Sequence, residues 1–363
     1  MKRLFWVLFP CLLLILPVSA QQKVWKVGVN AFFDNTEFGH SKIQIPQTMA
    51  GVHYTPEFGL SWDTVHRVFV GADVMHEFGS NKVIDFINPI AYYEYNSAPF
   101  RFFMGAFPRK LVLDDYPRIF FTDSINNYRP TINGFCWEFS HHKSYIRAWL
   151  DWTSRQNYQR HETFFMGESA RFEKGIFFAQ HFGYMFHYAG VMDPVVPEAL
   201  HDNGMYLTSL GVNLAEKTGF DKLETSVGWA VGVEDARDEN QKWQAHHALM
   251  LETKIEYQGL GLENSFYKGD GQMSFYKDHP VNLYWGDRVY RAKNYDRADL
   301  YIRFFHSDVV ETKLMYTLHF MENQMYNEQS LYVSFNMDNL EKKLSKPYHY
   351  LWSSWVKSLR NEK

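Results

Sequence analysis

Residues 109–130 carry charged side chains of both signs in one stretch without a strand pattern. Opposed charges across a narrow gap create a transverse field that selects polar, hydrated solutes and tunes ion preference. We therefore predict that this loop forms a constriction if the chain holds it in a confined space; an ordinary solvated loop is the alternative. The residues concerned are Arg109, Lys110, Asp114, Asp115, Arg118, Asp123 and Arg129.

The segments on either side of this loop, 99–108 and 144–153, alternate between two kinds of residue. One face of each segment is apolar and the other carries charges beside aromatic and small residues, a period of two that predicts β-strands. The charged face would line a lumen, where Tyr145 and Trp149 would either stack on sugar rings or pack against an infolded loop. The predicted lumen-lining residues are Arg101, Tyr145, Arg147, Trp149 and Asp151, with Asp299 and Arg303 from a later strand.

The same alternation runs through the chain and predicts about sixteen strands, with roughly fourteen to eighteen compatible with the pattern. Short turns alternate with longer loops, which is the arrangement of outer-membrane barrels, with long loops outside and turns in the periplasm. Both chain ends would then lie in the periplasm. The predicted long loops are at about 34–46, 77–83, 109–130, 155–161, 190–204, 235–242, 269–295 and 322–327.

The first twenty residues are predicted to be a secretory signal peptide. Lys2 and Arg3 precede an apolar run, and Val18-Ser19-Ala20 provides a cleavage site before Gln21. The domain organisation expected from these patterns is a signal peptide (1–20), a barrel (21–338) and a basic, aromatic periplasmic tail (339–363). The sequence does not indicate a function for this tail.

The composition suits an exported membrane barrel. Aromatic residues make up 18% of the chain, yet its mean hydropathy is negative, as expected when one strand face is apolar and the other polar. A formal net charge of −4 argues against a nucleic-acid partner. Cys136 is the single cysteine after the predicted cleavage site, so an intramolecular disulfide is excluded.

In this layout the chain resembles the Gram-negative outer-membrane porins. The resemblance is architectural and rests on the signal, the strand count, the loop alternation and a long third loop, without a motif specific to one porin family. It implies that the 109–130 loop folds into the lumen and narrows it with its charges. Small residues at lumen positions, including Gly211 and Gly228, favour an open interior.

One segment has the residue types of a nucleophilic site. His142 and Ser144 are two apart on a strand, on the face that Ile146 and Leu150 mark as lipid-facing, and Asn157 follows. This resembles the His-x-Ser of outer-membrane phospholipase A, although the Asn-Gly that follows the serine in that family is missing. The loop alternation also places the segment on the periplasmic side, away from the outer leaflet.

Metal and cofactor sites are not indicated. The pairs His141-His142 and His246-His247 consist of strand neighbours, which point to opposite faces and chelate poorly. The sequence has no phosphate-binding glycine loop and no cysteine cluster. We predict neither a metal nor a cofactor.

We therefore predict an all-β, single-domain, transmembrane antiparallel up-and-down barrel in the outer membrane, reached by export across the inner membrane. The function expected is a non-enzymatic pore for passive diffusion of small hydrophilic solutes, with saccharides as one candidate class and the 109–130 loop as its constriction. The alternatives are a non-conducting barrel in surface-polysaccharide or envelope assembly, or a lipid-modifying enzyme. Its partners would be outer-membrane lipid and the solute, with a homo-oligomer left open.

Overall fold

The computed structural model describes residues 21–194, 198, 200–237, 242–274, 283–340 and 348–352. The predicted signal peptide (1–20) and most of the predicted tail lie outside the described residues. No helix among the described residues is long and apolar enough to cross a membrane.

Sixteen antiparallel strands in the described part of the chain close into one barrel, in which each strand pairs with its neighbours in sequence and β1 pairs with β16. This confirms the predicted fold class and strand number. The strands are β1 (Gln22–Glu37), β2 (Gln47–Trp62), β3 (His66–Glu77), β4 (Phe86–Ser97), β5 (Phe100–Pro108), β6 (Thr131–His141), β7 (Ser144–Ser154), β8 (Thr163–Lys174), β9 (Phe177–Tyr188), β10 (His201–Asn213), β11 (Lys222–Ala236), β12 (Gln244–Tyr257), β13 (Leu260–Gly269), β14 (Asn294–His306), β15 (Val310–Met321) and β16 (Gln324–Asp338).

The alternating pattern forms this barrel because closure pairs the backbone groups of every strand, including those at the seam. Along β5, Phe100 and Met104 are exposed on the outside, whereas Phe103 and Phe107 are buried inside. Each apolar outer row can then face lipid, while the inner row contacts the barrel contents.

The connections differ from the sequence prediction at two places. The predicted 322–327 loop is a tight turn, because Glu322 and Asn323 both adopt positive φ and join β15 directly to β16. The predicted 190–204 loop is also shorter than expected, because β10 begins at His201. Both segments are rich in charged and polar residues, so their sequence resembles a loop. Part of each segment nevertheless belongs to a strand, at the end of the barrel that carries the long loops.

Two long connections fold into the barrel at that same end. Residues 109–130 contain two short helices, α1 (Lys110–Leu113) and α2 (Asp123–Tyr128), and 283–292 form a second inward segment with a 3-10 turn at Arg288–Arg291. Their buried side chains form one cluster with the aromatic lumen wall. From the two loops these are Val112, Leu113, Tyr116, Ile119, Phe120, Phe121, Leu283, Tyr284, Trp285, Val289, Tyr290 and Ala292.

Small lumen residues make room for this packing. The indole of Trp149 lies over Gly167, where an added Cβ would approach it to 2.3 Å, and Phe178 occupies the same position over Gly211. Of these two glycines, Gly211 is one of the small residues predicted to leave the interior open, and here it accommodates a large side chain. A cavity of about 1000 Å³ remains in the lumen.

Part of the C-terminal tail lies against the barrel end that carries both chain termini. The Tyr348 hydroxyl donates to Glu256 and accepts from the Gly259 backbone at 3.0 Å. Trp352 lies close to Phe304, with ring centroids 6.2 Å apart. The described tail residues 348–352 are therefore held beside the turn between β12 and β13.

Candidate functional site

The first charged residue of the infolded loop anchors that loop to the wall. Arg109 is 1% exposed, and its guanidinium donates to Asp151 at 2.5 Å. It also donates to the carbonyls of Arg129 and Thr131, at 2.7 and 3.0 Å. The predicted lumen residue Asp151 is thus the buried counter-ion of the loop rather than an exposed lining group.

A second group of predicted residues holds the α1 end of the loop. Arg147 donates to Asp115 at 3.0 Å and pairs with Glu138 at 2.8 Å, and Tyr145 also donates to Asp115. Arg101 lies 3.6 Å from the other oxygen of Glu138.

Trp149 donates to the Tyr116 hydroxyl at 2.8 Å. The inward aromatic Trp149 therefore packs against the infolded loop, which is the second of the two roles predicted for it.

The third group joins the α2 end of the loop to the opposite wall. Arg118 pairs with Asp123 at 2.8 Å and with Asp299 at 3.3 Å, and Asp299 also accepts from Arg297 at 2.7 Å. Burial and nearby Arg297 oppose its charge, yet Asp123 and Asp299 hold the pKa of the Arg118 guanidinium above its usual value. These ions are in direct contact, so they bind the loop across the barrel.

The remaining predicted residues are divided between the cavity and the loop packing. Lys110 and Asp114 line the lumen cavity, as does Arg303, which pairs with Glu256 at 3.2 Å. Arg129 lies over the Trp285 ring at 5.0 Å. The 109–130 stretch thus lies inside the barrel, and its role as a constriction stays a prediction.

The sequence-derived nucleophilic site does not have the required geometry. His142 adopts a positive φ of 55° in the turn before β7, at the end that carries the chain termini. The Ser144 hydroxyl accepts from the Glu173 backbone at 3.1 Å, and no bond between His142 and Ser144 is found among the described residues. Ser144 is therefore bound to the wall rather than activated by His142.

Two other polar groups lie on the lipid-facing side of β8, β9 and β10. The first joins Glu168, His181 and Thr208 near the middle of the strands. The His181 ring lies 2.8 Å from the Thr208 hydroxyl through Nδ1 and 3.5 Å from Glu168 through Nε2. Polar side chains that face lipid near the middle of the membrane are unfavourable in free energy, and this group places one on each of three adjacent strands.

The second group lies at the ends of the same strands, on the side of the long loops. His187 Nδ1 is 2.7 Å from Asp202, and Asp202 also pairs with Arg237. The His187 ring lies tilted beside that of Phe164, with centroids 5.0 Å apart, and the Phe164 ring centroid is 5.2 Å from that of exposed Trp152. Aromatic residues of this kind mark the membrane–water interface in outer-membrane barrels.

The two groups differ in the depth at which they would meet a lipid. His187 and His181 are six positions apart on β9, which is about 20 Å along the strand and about 14 Å in depth at a typical strand tilt of about 45°. The pair His187–Asp202 therefore lies near the membrane–water interface, whereas the Glu168, His181 and Thr208 group lies deeper in the hydrocarbon.

The same pair has the arrangement of a general base. A carboxylate can only accept, so the hydrogen bond to Asp202 fixes a proton on Nδ1 of His187 and leaves Nε2 as an acceptor. Among the described contacts, Nε2 of His187 has no partner. Nε2 can therefore accept a proton from a group that approaches it from outside the barrel.

Two features of the sequence concealed this pair. The inner face of β9 is aromatic because Phe182 and Tyr184 pack against the infolded loop, so both strand faces contain apolar residues. Asp202 fell in a predicted loop, although it lies directly opposite His187 in the β9–β10 register. An outward histidine at the level of Trp152 was the signal that could have indicated the site.

The described residues contain no cluster of three or more His, Cys, Asp or Glu side chains placed to hold a metal ion.

The fold defines a class of protein, the closed outer-membrane β-barrel, in which the interior is filled at one end. A loop-deletion mutant of OmpT, an outer membrane protein of Vibrio cholerae, has a similar structure, with a TM-score of 0.53 and 8% sequence identity over 88% of this chain and 100% of that one. At this identity the likeness shows the fold alone. It confirms the porin-like architecture predicted from the sequence.

Two further barrels superpose less closely. OccK2 of Pseudomonas aeruginosa gives a TM-score of 0.47 at 8% identity, covering 88% of this chain and 99% of that chain. A mutant Rh. blastica porin gives 0.49 at 9% identity, covering 87% and 100%.

The chain belongs to the lipid A 3'-O-deacylase-type family, which matches residues 18–344. No curated protein matches it. The family is one of enzymes, so the prediction that the chain is not an enzyme is wrong. The porin-like pattern led to this error because strand periodicity and loop lengths indicate the barrel but not whether its side chains carry out chemistry.

Proposed function

We propose that this protein is an outer-membrane hydrolase that removes an ester-linked acyl chain from a lipid A-type glycolipid. The observation that carries the proposal is the His187–Asp202 pair, oriented as a general base at the aromatic level of the lipid-facing surface. Membership of a deacylase family supports the same reaction class. The proposal includes export by the N-terminal signal and insertion with the long loops outside.

In the reaction, Nε2 of His187 accepts a proton from water as the water oxygen forms a bond to the ester carbonyl carbon. The carbonyl oxygen takes the electron pair of its double bond. When the carbonyl re-forms, the bond from carbon to the sugar oxygen breaks and the proton on His187 passes to that oxygen. The products are a free fatty acid and a sugar hydroxyl, and the base is regenerated.

Arg237 has a separate role in this proposal. Its side chain is about half exposed beside Asp202, so the donors that it does not use in the ion pair can face an anionic headgroup. A guanidinium presents five donors in a planar fork that suits phosphate. Arg237 would position an anionic glycolipid with its ester near His187.

The state of the lumen favours this proposal over a freely open pore. Three of the predicted constriction residues, Arg109, Asp115 and Arg118, are paired with the wall, and the aromatic residues of two loops fill the end that carries the long connections. A reaction on the outer surface needs no passage through the barrel.

The first test combines the wild-type protein with Asp202→Asn. We expect the wild type to release free fatty acid from a lipid A-type substrate in mixed micelles, measured by mass spectrometry. Asp202→Asn should lower kcat about 100-fold or more, because an amide no longer fixes the His187 tautomer. As a positioning residue, Asp202 should affect kcat far more than KM.

Asp202→Glu is the conservative variant and should restore part of the rate, because a carboxylate again accepts from Nδ1. An inactive wild-type protein, or an Asp202→Asn variant with unchanged kcat, would overturn the proposal. Far-UV circular dichroism of each variant shows whether the barrel is retained.

The deeper polar group provides a second prediction. Thr208→Val removes the hydroxyl beside His181 and makes the lipid-facing surface more apolar. We expect deacylation within about twofold of the wild-type rate and a barrel at least as stable in urea, because the removed group lies in the hydrocarbon. Loss of activity in this variant would place the catalytic nucleophile at Thr208 and contradict the assignment to His187.

A further inference from the structure

The lumen contains a cavity of about 1000 Å³ that none of the lipid-facing chemistry uses. Lys26 and Asp338, near the beginning of β1 and the end of β16, line it, so it extends toward the periplasmic end of the barrel. Its volume is at the upper end of the range found for small-molecule sites.

One wall of this cavity holds an oriented histidine. His53 Nδ1 lies 2.8 Å from Asp73, and the second oxygen of Asp73 accepts from Thr55 at 2.9 Å. The acceptor-only carboxylate places the proton on Nδ1 and leaves Nε2 of His53 as an acceptor. Asp73 and Thr55 therefore fix the ring in one orientation.

The other nitrogen of this ring is unpaired. His53 is 5% exposed, and its Nε2 has no hydrogen-bond partner among the described residues. Leaving a buried polar atom without a hydrogen-bond partner is unfavourable and carries a cost in free energy. A ligand hydroxyl donating to Nε2 would remove that cost.

The groups nearest His53, apart from its partner Asp73, are amide and hydroxyl side chains with one aromatic neighbour, and the cavity beyond them is lined by charges of both signs, including Lys26 and Glu57. Asn30 lies opposite His53 in the β1–β2 register and accepts from Ser334 at 2.6 Å. Phe32 lies 5.8 Å from the His53 ring, and Asn336 lines the same part of the cavity. Amides, hydroxyls and an aromatic face together suit a polyhydroxylated ligand, whereas the nearby Asp73 carboxylate disfavours an anion.

We propose that this recess is a binding site for a neutral saccharide that enters from the periplasmic side. His53 Nε2 accepts from one sugar hydroxyl, and Asn30 provides further hydrogen bonds beside the aromatic wall. The site is independent of the reaction on the outer surface.

Calorimetric titration of the full chain in detergent micelles tests the proposal, with glucose and maltose as neutral probes and glucuronate as the anionic one. We expect saturable binding of a neutral probe by the wild type. His53→Phe, which keeps a ring but removes the acceptor, should weaken it at least tenfold, and so should Asn30→Ala.

His66→Phe is the matched control, because His66 lies on the lipid-facing side of β3 and pairs with Tyr93. This variant should bind as the wild type does. Absence of binding by the wild type, unchanged binding by Asn30→Ala and His53→Phe, or preference for glucuronate would each overturn the proposal. Asn30→Ala keeps the test decisive if His53→Phe does not fold.

Discussion

His187→Asn is expected to lower kcat for acyl-chain release about 100- to 10,000-fold, which is the range contributed by a positioned general base. Asparagine keeps a polar side chain of moderate size but has no group that accepts a proton from water at neutral pH. Substrate contacts made elsewhere on the surface would remain, so KM should change little. Initial rates of fatty-acid release over a range of substrate concentrations separate the two effects.

The matched control for this variant is His247→Asn. Like His187, His247 is a lipid-facing histidine beside an aromatic residue, with its ring 6.0 Å from that of Trp229. The described contacts show no carboxylate oriented toward its ring, so we expect activity close to that of the wild type. Equal losses in both variants would indicate a general effect of outward polarity and would contradict the assignment of His187.

Strand periodicity was sufficient to predict the barrel because lipid imposes one requirement on every strand. Phe100 and Met104 must face outward whatever the barrel does, and Arg101 must then face inward. The position of the 109–130 loop was also predictable as a consequence of the porin resemblance. The wall residues that this loop contacts could not be predicted, because pairs such as Arg118 with Asp299 join residues far apart in the sequence.

The lipid-facing pair was hidden for a different reason. Where the loop packs against the wall, inner residues such as Phe182 are as apolar as outer ones, and periodicity no longer distinguishes the two faces. Asp202 reads as a loop residue in isolation, and its register opposite His187 is set by the whole β9–β10 hairpin. Long-range register is therefore the information that the sequence pattern lacked.

Asp151→Ala is expected to destabilise the barrel strongly. Asp151 is fully buried. Its carboxylate accepts hydrogen bonds from the Arg109 guanidinium at 2.5 Å and from the Asn133 backbone N–H at 2.9 Å. Its removal leaves a buried guanidinium without its counter-ion, which typically costs about 3–5 kcal/mol. Urea unfolding in micelles, followed by tryptophan fluorescence, measures the loss as a lower midpoint.

The exposed pair Lys143–Glu216 provides the control for this measurement. Its side chains are 52% and 71% exposed, so Glu216→Ala should leave the unfolding midpoint nearly unchanged. The double variant Arg109→Met/Asp151→Leu should be more stable than Asp151→Ala, because it removes the uncompensated charge as well as the pair. A double variant less stable than the single one would show that the charge is not the source of the loss.

Asp151→Ala also tests the constriction predicted from the sequence. Arg109 joins the beginning of the infolded loop to its end through the Arg129 carbonyl, and Asp151 holds Arg109 on the wall. If this anchor keeps the loop in the lumen, Asp151→Ala should conduct more current than the wild type in a planar bilayer, whereas Glu216→Ala should not. Equal conductance in all three proteins would show that the packed aromatic residues, rather than the buried ion pair, hold the loop in place.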